Sequence, residues 1–182
     1  MKNIAELLKI LPIRYDNKKL SLITYKDINW YYNNCIQPYY NEYLDFDFAN
    51  DVTEERFKAI LKNLVVGYKN KLSTYGEARM LLKDENNNII AGCSFIERID
   101  DIEIAYFVLP NYQHQGIAYE MLDKFISTLS KSNFPYKRII SVVREDNIQS
   151  IKLMEKLGFK LERIDDGKKK KNNVFILERD RL

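Results

Sequence analysis

Histidine is almost missing from this chain: His114 is the only one in 182 residues. Cysteine is nearly as rare, with Cys35 and Cys93 alone, so the ligand clusters that a zinc site needs are lacking and no metal is expected. Two cysteines without a paired spacing make no disulfide framework, and a reducing compartment fits better. Cys93 sits in the apolar run 89–96 and reads as a core thiol, not a nucleophile, because no second histidine exists to activate it. Long hydrophobic runs are absent too. Ile4, Leu7, Leu8 and Leu11 have helical spacing, but Lys2, Glu6 and Lys9 interrupt them. That rules out a signal-peptide core or a membrane span here, and a cytoplasmic protein without a membrane partner is expected. Charge of one sign is also lacking: 29 basic and 26 acidic side chains leave only +3. No global electrostatic case for nucleic acid follows.

What is present suffices for one packed domain over residues 1–182. Apolar residues make up 46% of the chain, and tyrosine is abundant at 13. Only six glycines and four prolines occur, so their positions carry information: Gly116 and Gly158 fall at helix ends and Gly92 inside a strand-like run. Residues 1–19 read as an N-terminal helical extension. A strand at 20–24 precedes a helix capped by Asp27. A second helix starts near Thr53, with Phe57, Ile60, Leu61 and Leu64 on one face. Strands follow at 78–83, 89–96 and 102–109, the first two joined by the turn-rich 84–88. On the third strand Glu103, Ala105 and Phe107 share one face; Ile104, Tyr106 and Val108 share the other. A helix from 117, a buried strand at 138–143, a helix at 147–157 closed by Gly158, and a hairpin of 159–164 with 173–179 complete the order. The four lysines Lys168, Lys169, Lys170 and Lys171 fall at that hairpin's tip and read as a solvated turn. Strands mixed with helices in this order predict an α/β fold: a mixed, largely antiparallel sheet with helices on both faces and a right-handed parallel crossover from 102 to 143.

The segment Pro110-Asn111-Tyr112-Gln113-His114-Gln115-Gly116-Ile117-Ala118 takes the chain from strand to helix. Pro110 has no N–H to extend the ladder, and a glycine opens the helix. A helix that starts this way points unpaired N–H groups and the positive end of its dipole at whatever lies in front, which is a site for an anion. Farther along, Asn147-Ile148-Gln149-Ser150 opens a helix that ends in Gly158-Phe159. The loop Gln113-x-x-Gly116-x-Ala118 resembles the pyrophosphate loop of the GNAT acyltransferases. The later helix resembles their Asn-x-x-Ser/Ala helix ending in Gly-Phe. The two motifs stand in the family's order with a strand between, and the likeness runs over residues 20–182. Ile104-Ala105-Tyr106-Phe107-Val108 and Ser150-Ile151 look most like the RimJ/RimL subgroup, which acetylates protein N-terminal amines.

This resemblance implies a sheet of about seven strands with a splayed parallel pair, and acetyl-CoA as co-substrate. The implied reaction is direct attack of a primary amine on the thioester, the acceptor being a small molecule or a peptide N-terminus. A monomer or homodimer is expected. The cofactor would meet the backbone of Phe107 and Val108, the loop Gln113, His114, Gln115, Gly116, Ile117 and Ala118, and Asn147 and Ser150. A backbone N–H near Val108 would polarise the carbonyl. Glu103 is the candidate general base, with a strand-face salt bridge as its other reading. Many relatives carry a tyrosine four residues after the Ser/Ala, as general acid; here that position is Met154, which cannot donate. Ser150, one turn earlier on the same face, is the candidate to protonate or hydrogen-bond the thiolate, or else caps its helix. Glu42, Asp45 and Asp47, set among tyrosines, are candidates to hold a cationic acceptor. The missing tyrosine also keeps open a non-catalytic acyl-CoA-binding module on the same fold.

Overall fold

The computed structural model describes residues 4–44, 51–70 and 76–179. In chain order it has α1 (Ile4–Lys9), β1 (Ile13–Tyr15), β2 (Lys18–Leu22), α2 (Ile28–Cys35), α3 (Pro38–Asn41) and α4 (Glu54–Asn70). Then follow β3 (Glu77–Lys83), β4 (Ile89–Glu97), β5 (Ile102–Val108), α5 (Ile117–Ser130), β6 (Arg138–Arg144), α6 (Ile148–Lys156), β7 (Lys160–Asp165) and β8 (Asn172–Glu178). All strands join one sheet in the order β1-β2-β3-β4-β5-β6-β8-β7. The fold is the expected mixed α/β sheet, with a single parallel pair, β5–β6, among the described residues.

The eighth strand corrects the reading of residues 1–19. Among its described residues only Ile4–Lys9 is helical; β1 and the start of β2 already belong to the sheet. Asp16 and Asn17 make the connection, at φ 38° and 55°, in a two-residue hairpin with Tyr15 opposite Lys18. Both residue types tolerate positive φ, as such a turn demands. Ile60 is a second correction: Phe57, Leu61 and Leu64 are buried on α4, whereas Ile60 is largely exposed.

The helices cover both faces. On one face Phe107 of β5 lies under Trp30, Tyr31 and Tyr40, at centroid distances of 6.4, 6.2 and 5.3 Å. Arg79 of β3 reaches the rings of Tyr31 and Phe57 on that face. On the opposite face, α5 buries Met121, Leu122, Phe125 and Leu129, and its Glu120 meets Lys18 of β2 at 3.2 Å. α2 is fastened at its start by Asp27, which accepts from Thr24 and takes Lys83 Nζ at 2.7 Å. Burial pushes the Asp27 carboxyl up, but the bonds from Lys83 and Thr24 outweigh it and hold the group below the usual carboxylate range.

Gly92 is required by a close approach. It stands opposite Phe107 in the β4–β5 register, and a Cβ there would come within 2.6 Å of the Phe107 ring and 2.8 Å of the Met80 carbonyl oxygen. Gly92→Ala should therefore lower stability by about 1–3 kcal/mol, the usual cost of overpacking, read as a fall in urea midpoint at unchanged slope. Asp27→Asn tests the α2 anchor. A carboxyl depressed in the folded state stabilises above its unfolded pKa of ~3.9 and loses that contribution as pH falls through the folded value. The Asn variant should be less stable at neutral pH by about 1–2 kcal/mol, with a shallower loss on acidification below pH ~4.

Candidate active site

The site is set by where β5 and β6 part. Their parallel pairing consists of Ile102 with Ile139 and Glu103 with Ile140. Beyond it β5 stays in register with β4 as far as Val108, and β6 stays with β8 as far as Arg144. The inner edges diverge with no ladder between them. Leu109 N donates to Ile90 O at 3.0 Å, so strand alternation turns the backbone groups of Tyr106 and Val108 toward the gap and those of Phe107 toward β4. This corrects the expectation for Phe107: its backbone is committed to β4, and its ring is packed under the aromatic cover. Val108 is the residue that offers its main chain to the gap.

The loop after β5 ends at the mouth of this gap. A short turn (Pro110–Tyr112) leads through Gln113 and through His114, at φ 60°, to Gly116, at φ 80°, the N-cap of α5. The first intrahelical bond runs from Glu120 N to Gly116 O at 3.0 Å, leaving the N–H groups of Ile117, Ala118 and Tyr119 without helical partners. No atom lies within 4 Å of where a Gly116 Cβ would stand. Glycine is thus needed for its left-handed backbone, not to relieve crowding, and the space before the helix is open. Gln113 Nε2 donates to Val108 O at 3.1 Å and Gln115 Nε2 to Asn111 O at 3.0 Å. Both glutamines brace the loop; the Gln113 N–H is itself spent on Pro110 O at 3.3 Å, so the N–H groups that can meet an anion are those that follow it. His114 is exposed on the same loop.

α6 enters from the other side of the gap. Asn147 caps it, its Oδ1 accepting from Ser150 N at 3.1 Å. At the far end Gly158, at φ 87°, gives the Schellman pair: Phe159 N to Met154 O and Gly158 N to Glu155 O, both 3.0 Å. Met154 is wholly buried in the core, so the position where many relatives carry a tyrosine is structural here. The Ser150 hydroxyl does not cap: it accepts from Tyr106 Oη at 2.8 Å. Burial holds the Tyr106 phenol above its ordinary pKa, against the opposing pull of the Ser150 bond. Sequence reasoning placed Tyr106 on the right face of β5 but missed its partner. Alternation fixes a face, and only the fold brings residue 150 to it.

Glu103 lies on the other face, at the closed end of the gap, where Arg98 holds it through two nitrogens, Nε at 3.0 Å and Nη2. The strand-face salt bridge is therefore real. Three residues of strand, ~10 Å, separate Glu103 from Tyr106. Between Glu103 and Phe107, Ala105 is exposed, so the sheet face there is open. Glu42 stands just after α3, against the Tyr43 phenol, whose pKa it raises. Asp45 and Asp47 lie outside the described residues. The lysine run is exposed, as a solvated turn should be, and two of its members also find partners. Lys169 Nζ donates to Leu44 O at 2.9 Å, and Lys170 pairs with Asp146 at 2.7 Å, so the hairpin tip is docked beside Glu42 and the start of α6. Among the described residues no group of acids, histidines and cysteines could hold a metal ion, and no helix is long and apolar enough to cross a membrane.

Residues 19–160 match the family model described as an acetyltransferase (GNAT) domain. The chain belongs to this acetyltransferase family. No curated protein sequence matches it. Solved structures share the fold. RimL, a ribosomal L7/L12 alpha-N-protein acetyltransferase in complex with coenzyme A, superposes with a TM-score of 0.75 at 14% identity, over 90% of this chain and 95% of that one. The ribosomal-protein-S5-alanine acetyltransferase of Vibrio fischeri gives 0.72 at 18% identity, over 93% and 97%. Spermidine N-acetyltransferase of Vibrio cholerae, with CoA and spermine, gives 0.73 at 16% identity, over 90% and 96%.

If backbone conformation alone demands glycine before α5, Gly116→Asn should be better tolerated than Gly116→Ala. The alanine variant should lose about 1–2 kcal/mol by chemical denaturation and the asparagine variant less, because Asn enters the left-handed region more readily. Equal losses would mean that crowding, not φ, sets the position.

Proposed function

We propose that this chain transfers the acetyl group of acetyl-CoA to a primary amine, by direct attack in a ternary complex. The observation that carries the reading is the meeting of two unsatisfied backbone features: the open edge of β5 beyond Glu103 and the uncapped N-terminus of α5 behind Gly116. An extended chain ending in a diphosphate satisfies both, as a strand substitute along one and an anion on the other.

Acetyl-CoA supplies an acyl group activated as a thioester. The diphosphate rests on the N–H groups of Ile117 and Ala118 and on the loop from Gln113 to Gly116, beside His114. Val108 faces the pantetheine arm with its main chain, and its N–H polarises the carbonyl. Asn147 spends its amide oxygen on the helix cap, which leaves its N–H2 for the arm. Ser150 hydrogen-bonds the sulfur. The acceptor lies over Ala105, with Glu42 at the rim and Asp45 and Asp47 as further carboxylates for a cation. Glu103, paired with Arg98, accepts the ammonium proton through water. An α-amine titrates near ~7.8 and a lysine-like amine near ~10.4, so the first needs far less help at neutral pH. A peptide N-terminus or a small cationic amine is the acceptor. The acceptors of the structural neighbours, ribosomal proteins and spermidine, belong to the same chemical class.

Calorimetry should give one acetyl-CoA site per chain, with Kd on the order of 1–100 µM. Thiol release should appear when peptides with free α-amines, polyamines or aminoglycosides are added. Binding without release on any amine would reduce the protein to an acyl-CoA-binding module; no binding would remove the reading. Glu103→Gln should lower kcat/KM about tenfold at pH 7. The deficit should shrink as pH rises past the acceptor's own pKa, since a neutral amine needs no base. A deficit independent of pH would make Glu103 purely a partner of Arg98.

A further inference from the structure

The half-buried tyrosine opposite Ser150 has no part in the reaction described so far. Met154 provides no proton at the position where many relatives carry a phenol, yet a phenol still reaches this neighbourhood from another element. Tyr106 comes from β5, on the face that α6 covers, and its Oη donates to Ser150 Oγ at 2.8 Å. Ser150 N is engaged separately by Asn147, so the serine backbone and hydroxyl are each fixed by a different partner. We infer that Tyr106 is a positioning residue for the leaving group: by filling a lone pair of Ser150 Oγ, it aims the serine's own proton into the gap, at the sulfur of bound CoA. The inference rests on the proposed acyl transfer and deepens it.

The chemistry limits what this pair can do. In the transfer the new N–C bond forms, the C–S bond breaks and its electron pair goes to sulfur. The amine's proton leaves through Glu103 and water. A CoA-type thiol has a pKa near ~8.5, whereas an unperturbed phenol titrates near ~10. Burial raises the Tyr106 phenol further, and a serine alkoxide is more basic still. Neither hydroxyl therefore surrenders its proton to the thiolate. The serine donates a hydrogen bond to the departing sulfur, the tyrosine fixes the direction of that bond, and the thiolate takes its proton from water on release. A hydrogen bond to a charged group in a partly buried site strengthens as charge builds on sulfur, so it acts in the transition state. Tyr106 needs only to donate, so a raised phenol pKa suits the role.

The test reads the sulfur directly and needs no acceptor. The thiolate ultraviolet absorbance of CoA bound to the folded protein is titrated with pH for wild type, Tyr106→Phe, Ser150→Ala, Ser150→Thr and the Phe/Ala double variant. In the wild type and in Ser150→Thr, which keeps a hydroxyl, the bound thiol should titrate about one unit below free CoA. In Tyr106→Phe, Ser150→Ala and the double variant it should return to the free value, the double variant being no worse than Ser150→Ala because the two residues act as one unit. With an accepted amine, kcat should fall about tenfold in Tyr106→Phe and in Ser150→Ala, with the Kd for acetyl-CoA within twofold of wild type. Thermal unfolding of Tyr106→Phe checks that the ring still packs. The same thiol pKa in wild type and Tyr106→Phe, or additive losses in the double variant, would overturn the inference. A lowered thiol pKa in a protein that acetylates no amine would leave the inference standing and remove the proposed transfer.

Discussion

Two neighbouring strands that part company are the constraint on which the rest of this molecule depends. β5 is held by β4 along its whole length and β6 by β8 along its whole length. Their mutual pairing stops after Glu103 and Ile140. Backbone N–H and C=O groups in a sheet are not left without partners cheaply. One of those exposed, the Val108 carbonyl, is taken by Gln113. The edge that remains is a row of donors and acceptors awaiting an extended ligand.

Other features fit around that gap. On one side, two glutamine braces and a left-handed glycine fix the loop so that the first N–H groups of α5 point outward. On the other, Asn147 fixes the start of α6 and brings Ser150 within reach of Tyr106. The aromatic cover of Trp30, Tyr31 and Tyr40 holds Phe107 down onto Gly92. In the proposed reaction the cofactor takes the edge and the face under α6, and the acceptor the opposite face, where Ala105 is open and Glu103 is paired with Arg98. The alternation of a single strand separates the two.

Much of this was legible in the sequence because it is local. The glycine before α5, the Gly-Phe ending of α6, and the 2- and 3.6-residue periodicities all act within a few neighbours. The parts that escaped depend on distance in sequence. β1 is only three residues long, and its turn of Asp16 and Asn17 becomes a signal only when Lys18 is known to pair back on Tyr15. Tyr106 is one of 13 tyrosines, and nothing short of the fold joins it to a serine 44 residues away. Gln113 and Gln115 read as members of the cofactor loop, and only the fold shows their side-chain amides turned inward to backbone carbonyls.

The central claim is that the open edge of β5 and the N-terminus of α5 hold one and the same ligand. The most direct measurement is the amide spectrum of isotope-labelled protein titrated with CoA. The account predicts concerted shifts at the N–H groups of Tyr106, Val108, Ile117 and Ala118, saturating at a single affinity, with Phe107 N–H, turned toward β4, far less moved. Shifts confined to the helix terminus, or two groups of shifts that saturate at different affinities, would contradict it.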